Sequence, residues 1–289
     1  MVDMKARIIK IVSKEYTVLD EDNNRYDAIL TGKIRRQSVP VTGDMVMCNY
    51  TDNRWVIEKI LPRKNSMRRP AVANVDQVLI VMSVKDPDFS PVLIDRLSML
   101  IMASGLKPML IVTKCDLGID ERTEKHIEEY ERGPMQVIRT AKGSLDPSLA
   151  GFLKGKVSVL TGQSGAGKST LLNQLEPSFH LATQEISKAL GRGRHTTRHN
   201  ELHSVAGGLV ADTPGFSSLD FSHIEADELG NYVPDFVPYI GKCRFNDCIH
   251  QNEPDCAIKE AVERGEVPET RYEDYLQVLQ IIQERKVKY

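Results

Sequence analysis

The sequence lacks any long apolar run, and this absence excludes several classes of protein. No stretch of the 289 residues approaches the roughly 18 consecutive apolar residues that a membrane-spanning helix needs. The first ten residues, MVDMKARIIK, are interrupted by charges and have no apolar core of signal-peptide length. Hydrophobic residues make up 41% and charged residues 27% of the chain, as in ordinary soluble proteins. We therefore expect a cytoplasmic protein with no membrane contact.

Cysteine is also scarce, and this argues against a disulfide-stabilised fold. The chain has five cysteines, and thiols stay reduced in the cytoplasm. Cys48 and Cys115 stand alone, so we expect them to be small buried or half-buried residues. The other three lie close together near the C-terminus, which indicates a different role for them.

Positive and negative charges nearly balance over the whole chain, but they are unevenly distributed along it. Residues 1–69 contain 14 lysines and arginines against 9 acidic residues, whereas residues 221–289 contain 8 against 14. A basic N-terminal region indicates an anionic partner such as nucleic acid. A solvated basic surface on a small β domain explains the same charge equally well.

Residues 1–64 predict a small β-barrel. Short segments rich in β-branched residues alternate with turn residues, and they span 6–12, 15–20, 25–30, 44–50 and 55–61. Five strands in this length favour an OB-like fold, with an SH3-like barrel as the alternative. The middle connection contains Lys33, Arg35 and Arg36, which are candidate contacts to single-stranded RNA in such a barrel.

Beyond a basic segment at 61–77, interpreted as a linker, buried strands alternate with helices. Apolar runs of strand length span 77–84, 107–114, 135–141 and 156–162, and helical patterns span 91–105 and 120–133. Such alternation predicts a mostly parallel α/β sheet, expected over residues 65–220. Residues 221–289 contain two further helical stretches and form the third predicted domain.

The strongest motif is a phosphate-binding loop, GQSGAGKST, that follows an apolar strand and precedes a helix-forming run. Its glycines allow backbone amides to face a β-phosphate at the helix N-terminus. Lys168 is expected to bridge the β- and γ-phosphates, and Ser169 to bind Mg²⁺. The nucleotide-contacting residues of the loop are Gly162, Gln163, Ser164, Gly165, Ala166, Gly167, Lys168, Ser169 and Thr170.

Two further motifs narrow the nucleotide class. DTPG begins with Asp212 at a strand end, where a carboxylate can hold Mg²⁺, and ends with Gly215, whose amide can contact a γ-phosphate. TKCD supplies Thr113, Lys114, Cys115 and Asp116. The Asp116 carboxylate can accept from both N1–H and the N2 amine of guanine, whereas adenine lacks the second donor. The stem of Lys114 is expected to cover the purine face.

A Cys/His cluster near the C-terminus predicts a metal site. Its pattern, C-x4-C-x-H-x5-C, is made by Cys243, Cys248, His250 and Cys256. Three thiolates and one imidazole complete a tetrahedral Zn²⁺ set with no open position for catalysis. We therefore expect one structural zinc ion in each monomer.

The order of these motifs is permuted, since TKCD precedes the phosphate loop. The TAK triplet of Thr140, Ala141 and Lys142 resembles the guanine-contacting SAK loop of GTPases. The whole chain resembles the circularly permuted GTPases of the bacterial RsgA/YjeQ family, which depend on the small ribosomal subunit. The resemblance implies an OB-like barrel, a permuted α/β P-loop GTPase domain and a helical zinc-binding domain. It also implies a monomeric factor that binds rRNA and hydrolyses GTP late in assembly of the 30S subunit.

The segment GRGRHTTR, residues 191–198, corresponds to a switch loop in this family. Thr197, or alternatively Thr196, is expected to complete the Mg²⁺ shell, and His195 is the candidate catalytic group. Phe216 follows DTPG, where many GTPases have a water-positioning glutamine, so slow intrinsic hydrolysis is expected. The alternatives are a nucleotide-dependent kinase, which Asp116 disfavours, and a non-enzymatic RNA-binding scaffold, which the intact nucleotide motifs disfavour.

Overall fold

The computed structural model describes residues 3–32, 34, 39–67, 71–177, 201–212 and 219–286. The chain divides into two compact units. One, the barrel unit, consists of residues 1–78 and 145–215, and the other, the helical unit, of residues 79–144 and 216–289. No helix among the described residues is both long and apolar enough to cross a bilayer.

The strands and α-helices are named in chain order. The strands are β1 (Asp3–Val12), β2 (Glu15–Leu19), β3 (Arg25–Leu30), β4 (Met45–Thr51), β5 (Arg54–Ile60), β6 (Ser66–Met67), β7 (Val72–Ala73), β8 (Gln77–Ser83), β9 (Pro108–Thr113), β10 (Gln136–Arg139), β11 (Val157–Thr161), β12 (Leu202–Val205) and β13 (Gly208–Asp212). The α-helices are α1 (Pro91–Ala103), α2 (Glu121–Arg132), α3 (Ser148–Leu153), α4 (Lys168–Leu175), α5 (Ala257–Glu263) and α6 (Glu269–Lys286).

The predicted N-terminal barrel is confirmed. Strands β1 to β5 form a closed barrel in the order β1-β2-β3-β5-β4, with β3 and β5 parallel and the other pairs antiparallel. This order is that of the OB-like candidate. Alternate residues of the strands fill an apolar interior that includes Ile8, Val18, Val46 and Ile57, all fully buried.

The segment interpreted as a linker is structured in its described part, and that prediction was wrong. It contains β6 and β7, which pair as an antiparallel ribbon. Arg63 donates from Nε to Oδ1 of the buried Asp44 at 2.6 Å, and Asn65 exchanges two hydrogen bonds with Val75. A basic, Pro- and Asn-containing composition therefore marks an ordered ribbon here, because its polar side chains satisfy neighbouring backbone groups.

The remainder of the barrel unit positions the phosphate loop. Strand β13 lies between β11, which is parallel to it, and β12, which is antiparallel. Gly208 begins β13, and a Cβ atom there would lie 1.9 Å from the carbonyl oxygen of Leu153 at the end of α3. Only glycine permits this approach, which fixes α3 beside the sheet.

In the helical unit, the strands run in the order β10-β9-β8, with β9 and β10 parallel. Helix α1 begins at an N-cap, Ser90, whose hydroxyl accepts from the Leu93 amide at 3.3 Å. Met99 and Leu100 of this helix share one apolar core with α5, α6 and the 3-10 helices at Leu229–Tyr232 and Pro234–Tyr239. Apolar residues at helical spacing on α6, among them Leu279 and Ile282, pack into this core.

The helical unit also buries an ionic cluster. Arg271 of α6 forms ion pairs with Asp235 and with Asp95 of α1, and its Nε lies 2.9 Å from Asp95 Oδ1, although the N–H is not directed at that oxygen. The guanidinium carbon lies 4.1 Å from the centre of the Tyr130 ring, and the Tyr130 hydroxyl donates to Asp95 at 2.7 Å. Asp274 is also buried, and it acts to raise the pKa of Asp95. One guanidinium thus faces two buried carboxyl groups, those of Asp95 and Asp235.

Candidate functional site

The phosphate loop connects β11 to α4 in the barrel unit. Gly162, Gly165 and Gly167 have φ angles of 129°, 83° and 90°. These angles lie in the left-handed region, which glycine adopts without steric cost. The loop therefore curls directly into the N-terminus of α4, where the backbone amides of the first turn and the helix dipole favour a bound anion.

The ammonium group of Lys168 is folded over this loop. Its Nζ donates to the carbonyl oxygens of Gly162 at 2.9 Å and Gln163 at 2.6 Å. Charged phosphate oxygens are stronger partners for an ammonium group than neutral carbonyls are. The Oε1 atom of Gln163 is buried without a hydrogen-bond partner. The loop thus holds a cation whose two carbonyl partners are neutral.

The base-reading motif TKCD begins at the last residue of β9, in the helical unit. Thr113 is buried, and its hydroxyl donates to the carbonyl oxygen of Met82 at 3.4 Å. Lys114 has a left-handed φ of 60°, and its Nζ donates to the carbonyl oxygens of Lys85, at 3.3 Å, and Asp86. The lysine side chain therefore extends from the motif to the segment that follows β8.

The structure brings the TKCD motif and the TAK triplet together at the ends of β9 and β10. The Cys115 amide donates to the Thr140 carbonyl at 3.2 Å, and the Lys142 amide donates to Asp116 Oδ1 at 3.0 Å. Asp116 is exposed, so its carboxylate remains accessible to a planar base. Burial raises the pKa of the Cys115 thiol, which keeps it protonated and unreactive.

Several predicted site residues lie outside the described residues. They are the catalytic candidate His195, the switch threonines Thr196 and Thr197, Gly215, Phe216, and the barrel residues Lys33, Arg35 and Arg36. Asp212 is described as the last residue of β13, in line with its predicted place at a strand end.

The four Cys/His residues converge on one point in the helical unit. Nδ1 of His250 lies 3.5, 3.4 and 3.5 Å from the sulfur atoms of Cys243, Cys248 and Cys256, and the sulfurs of Cys243 and Cys256 are 3.9 Å apart. A zinc tetrahedron with ordinary bond lengths separates sulfur from nitrogen by about 3.6 Å and two sulfurs by about 3.8 Å. The donor set therefore fits Zn²⁺ in both chemistry and spacing. Burial also lowers the pKa of His250, which favours the neutral imidazole that binds metal.

The conformation of the metal loop is set by residues outside the ligand set. Glu253 accepts hydrogen bonds from the amides of Ile249, Gln251 and Asn252 at 2.9 to 3.1 Å. Burial acts to raise the pKa of Glu253, but these bonds outweigh it and the pKa is lowered. The Tyr272 hydroxyl donates to the His250 carbonyl at 2.7 Å. A Cβ atom on Gly230 would lie 2.9 Å from His250 Nε2, so a glycine is required there.

These supporting residues were missed in the sequence. Glu253 lies inside the ligand pattern, and a carboxylate within a tight loop is a detectable signal for backbone capping. Gly230 precedes the four Cys/His residues by more than ten positions, and Tyr272 follows them by more than ten. Their roles depend on contacts that no local pattern encodes.

Comparison with known proteins gives a consistent family. A family model described as RsgA GTPase matches residues 60–222, more than half of the chain. The small ribosomal subunit biogenesis GTPase RsgA of Geobacillus kaustophilus is 45% identical over 293 residues, which cover 99% of each chain. The protein of the same name from Bacillus subtilis is 42% identical and also covers 99% of each chain.

Two solved structures are similar over the full length. YloQ, described as a circularly permuted GTPase, has a TM-score of 0.84 and 36% identity over 100% of this chain and 98% of its own. YjeQ from Thermotoga maritima has a TM-score of 0.84 and 35% identity over 98% of this chain and 99% of its own. With the order of its motifs, these similarities show that the chain belongs to the RsgA GTPase family of circularly permuted GTP hydrolases.

Proposed function

We propose that this GTPase acts in the late assembly of the small (30S) ribosomal subunit, where it binds rRNA and hydrolyses GTP to GDP and phosphate. The observation that supports this most is the full-length similarity to relatives named small ribosomal subunit biogenesis GTPase. The two other classes, a nucleotide-dependent kinase and a non-enzymatic RNA-binding scaffold, are not supported, because the chain belongs to a GTPase family.

The guanine base is recognised by residues 113–116 and 140–142. The Asp116 carboxylate accepts from N1–H and the N2 amine of guanine, and the Lys114 stem covers the ring. The contact between Asp116 and the Lys142 amide supports this assignment, because it orients the carboxylate before the nucleotide binds.

The phosphates are bound by the loop of residues 162–170. Lys168 contacts the β- and γ-phosphates, and Gly215 contacts the γ-phosphate through its amide. Mg²⁺, which accompanies GTP in this enzyme class, is held by Ser169, Asp212 and Thr197. The curled loop and the position of Lys168 over its carbonyls support these roles.

Hydrolysis by the isolated chain is slow because Phe216 cannot orient a water molecule. His195 is the candidate group for this task, and binding to the ribosomal subunit accelerates hydrolysis. The enzyme is therefore a partner-stimulated GTPase.

The three regions have separate tasks. Residues 1–64 form the RNA-binding barrel with Lys33, Arg35 and Arg36 as contacts, residues 65–220 form the GTPase domain, and residues 221–289 form the zinc-binding domain. One structural zinc ion is bound per monomer by Cys243, Cys248, His250 and Cys256, whose spacing supports the assignment. The chain acts as a cytoplasmic monomer.

One experiment tests the main assignment. GTP and ATP hydrolysis are measured for the full chain, alone and with isolated small ribosomal subunits. We expect slow GTP hydrolysis that the subunits accelerate, and no comparable use of ATP. Equal use of both nucleotides, or no response to the subunits, would contradict the proposal. The Lys168→Ala variant serves as the control for contaminating nucleotidases, because it lacks the phosphate-binding cation.

A further inference from the structure

The segment between β8 and α1, residues 84–90, has backbone contacts that point to a role in nucleotide binding. Lys114 donates from Nζ to two successive carbonyl oxygens of this 84–90 loop, those of Lys85 and Asp86. Two carbonyl dipoles that converge on one ammonium group fix where that side chain ends. The loop therefore determines the course of the lysine stem that covers the guanine base in the proposed site.

The loop in turn is held by a hydrogen bond from Ser83, the last residue of β8. Ser83 is fully buried, and its hydroxyl donates to the carbonyl oxygen of Pro87 at 2.7 Å. The two ends of the loop are also held. The Val84 amide donates to the carbonyl oxygen of Thr113 at 3.1 Å, and Ser90 caps α1. The Ser83 hydroxyl is thus the side-chain contact that holds the centre of the loop, next to Asp86.

Asp86 has the backbone conformation that this arrangement requires. Its φ angle is 49°, in the left-handed region, which directs its carbonyl toward Lys114. Aspartate and asparagine tolerate this region, whereas β-branched residues do not. The carbonyl contact consequently depends on the residue type at position 86, although the Asp86 side chain does not make it.

We propose that Ser83 is a positioning residue for guanine-nucleotide binding. The Ser83 hydroxyl holds the Pro87 carbonyl, and this keeps the carbonyl oxygens of Lys85 and Asp86 directed at the Lys114 ammonium group. The Lys114 stem is then already extended when the base recognised by Asp116 binds. A lysine that is already extended loses less freedom when the ligand binds, which increases affinity. This inference rests on the proposed guanine site.

The test measures the affinity of the full chain for the fluorescent nucleotide mant-GDP. Ser83→Ala is expected to weaken binding about three- to tenfold, the loss typical of one hydrogen bond. In the Lys114→Ala background the same substitution is expected to have no further effect, and Ser83→Thr is expected to restore binding. Ser98→Ala is the matched control, because Ser98 is equally buried but its hydroxyl contacts Met135 in α1 packing.

Three results would overturn the inference: unchanged affinity in Ser83→Ala, a loss of the same size in the Lys114→Ala background, or an equal loss in Ser98→Ala. If Ser83→Ala does not fold, the pair Asp86→Val and Asp86→Asn decides, since only the valine variant is expected to lose affinity. A wild-type chain that fails to bind mant-GDP would overturn the proposed function together with this inference. Normal wild-type binding with unaffected variants would overturn the inference alone.

Discussion

The interiors of the two units are built from different interactions. The core of the closed barrel is an apolar cluster that includes the fully buried Ile8, Val18, Val46 and Ile57. The buried Asp44 of this unit is paired with Arg63 and is not part of that cluster. The helical unit instead buries Arg271 between the carboxyl groups of Asp95 and Asp235, and it brings three cysteines and a histidine to one point. Apolar burial is nearly indifferent to pH and to metal, whereas ionic and metal contacts depend on both.

This contrast predicts that the two units respond differently to the same treatment. The chain has one tryptophan, Trp55, and it lies in β5 of the barrel. Its fluorescence therefore reports unfolding of the barrel, while amide hydrogen exchange in residues 229–286 reports the helical unit. The experiments below follow one or both of these signals.

Metal removal should have the largest effect. Chelation, or the Cys256→Ala substitution, is expected to unfold the region around residues 240–256, because structural zinc contributes roughly 10 kcal/mol or more to small zinc-dependent folds. Hydrogen exchange there should lose its protection while the Trp55 transition stays in place. Cys48→Ala is the control, because Cys48 is buried in the barrel and its loss should leave one zinc ion per chain. Zinc-free protein with unchanged exchange would contradict the prediction.

Removal of the buried Arg271 guanidinium should cause the second-largest loss of stability. Arg271→Leu leaves Asp95 and Asp235 without their guanidinium, and breaking a buried pair in this way costs about 3–5 kcal/mol. Denaturant unfolding followed by hydrogen exchange in the helical unit measures the loss. Arg264→Leu is the matched control, because its partners Glu260 and Glu266 are exposed and such pairs contribute less than about 1 kcal/mol. Equal losses of unfolding free energy in the two variants would show that the buried ion pairs contribute no more than the exposed ones.

The same cluster should make the helical unit sensitive to pH. Burial raises the pKa of Asp95 from 3.8 to about 8. Asp274 also acts to raise this pKa, whereas Arg271 and Tyr130 act to lower it. Between these values the folded state keeps a proton that the unfolded state has released. Stability therefore falls as pH rises from about 4 to about 8, and it levels off above about 8.

Asp95→Asn tests this dependence, because an amide cannot titrate but can still form hydrogen bonds. As pH rises from about 4 to about 8, the wild type should lose unfolding free energy relative to the Asp95→Asn variant. Zinc binding affects both proteins alike, so the difference isolates Asp95. Parallel pH profiles for the two proteins would count against a protonated Asp95.

The sequence predicted the barrel strands well because alternation of apolar and polar residues is a local signal. The predicted segment at 25–30 matches β3, whereas β1 begins three residues earlier than predicted because Asp3 breaks the pattern. Strand β12, LHSV, was missed because it has neither an apolar run nor clear alternation. The four Cys/His residues that converge in the structure were identifiable from their spacing, which is also local.

The ionic cluster could not be predicted from sequence. Asp95 lies within an apolar helical pattern, and its partner Arg271 is more than 170 residues away. Nothing near either residue indicates that both become buried. The same holds for the 84–90 loop, whose contact with Lys114 involves backbone carbonyls that any sequence possesses.

The smallest expected effect comes from the barrel interior and sharpens the contrast. Ile57 is fully buried in β5, and Ile57→Val removes one methylene at a cost of about 1 kcal/mol. The Trp55 transition should shift by this amount equally at about pH 5 and at about pH 9, and equally with and without chelator, because no charge or metal contributes to the contact. Val56→Ala is the control, since Val56 is only half-buried in the same strand and should cost less. A shift that depends on pH or metal would mean that the barrel shares the helical unit's sensitivity, and the contrast between the two interiors would fail.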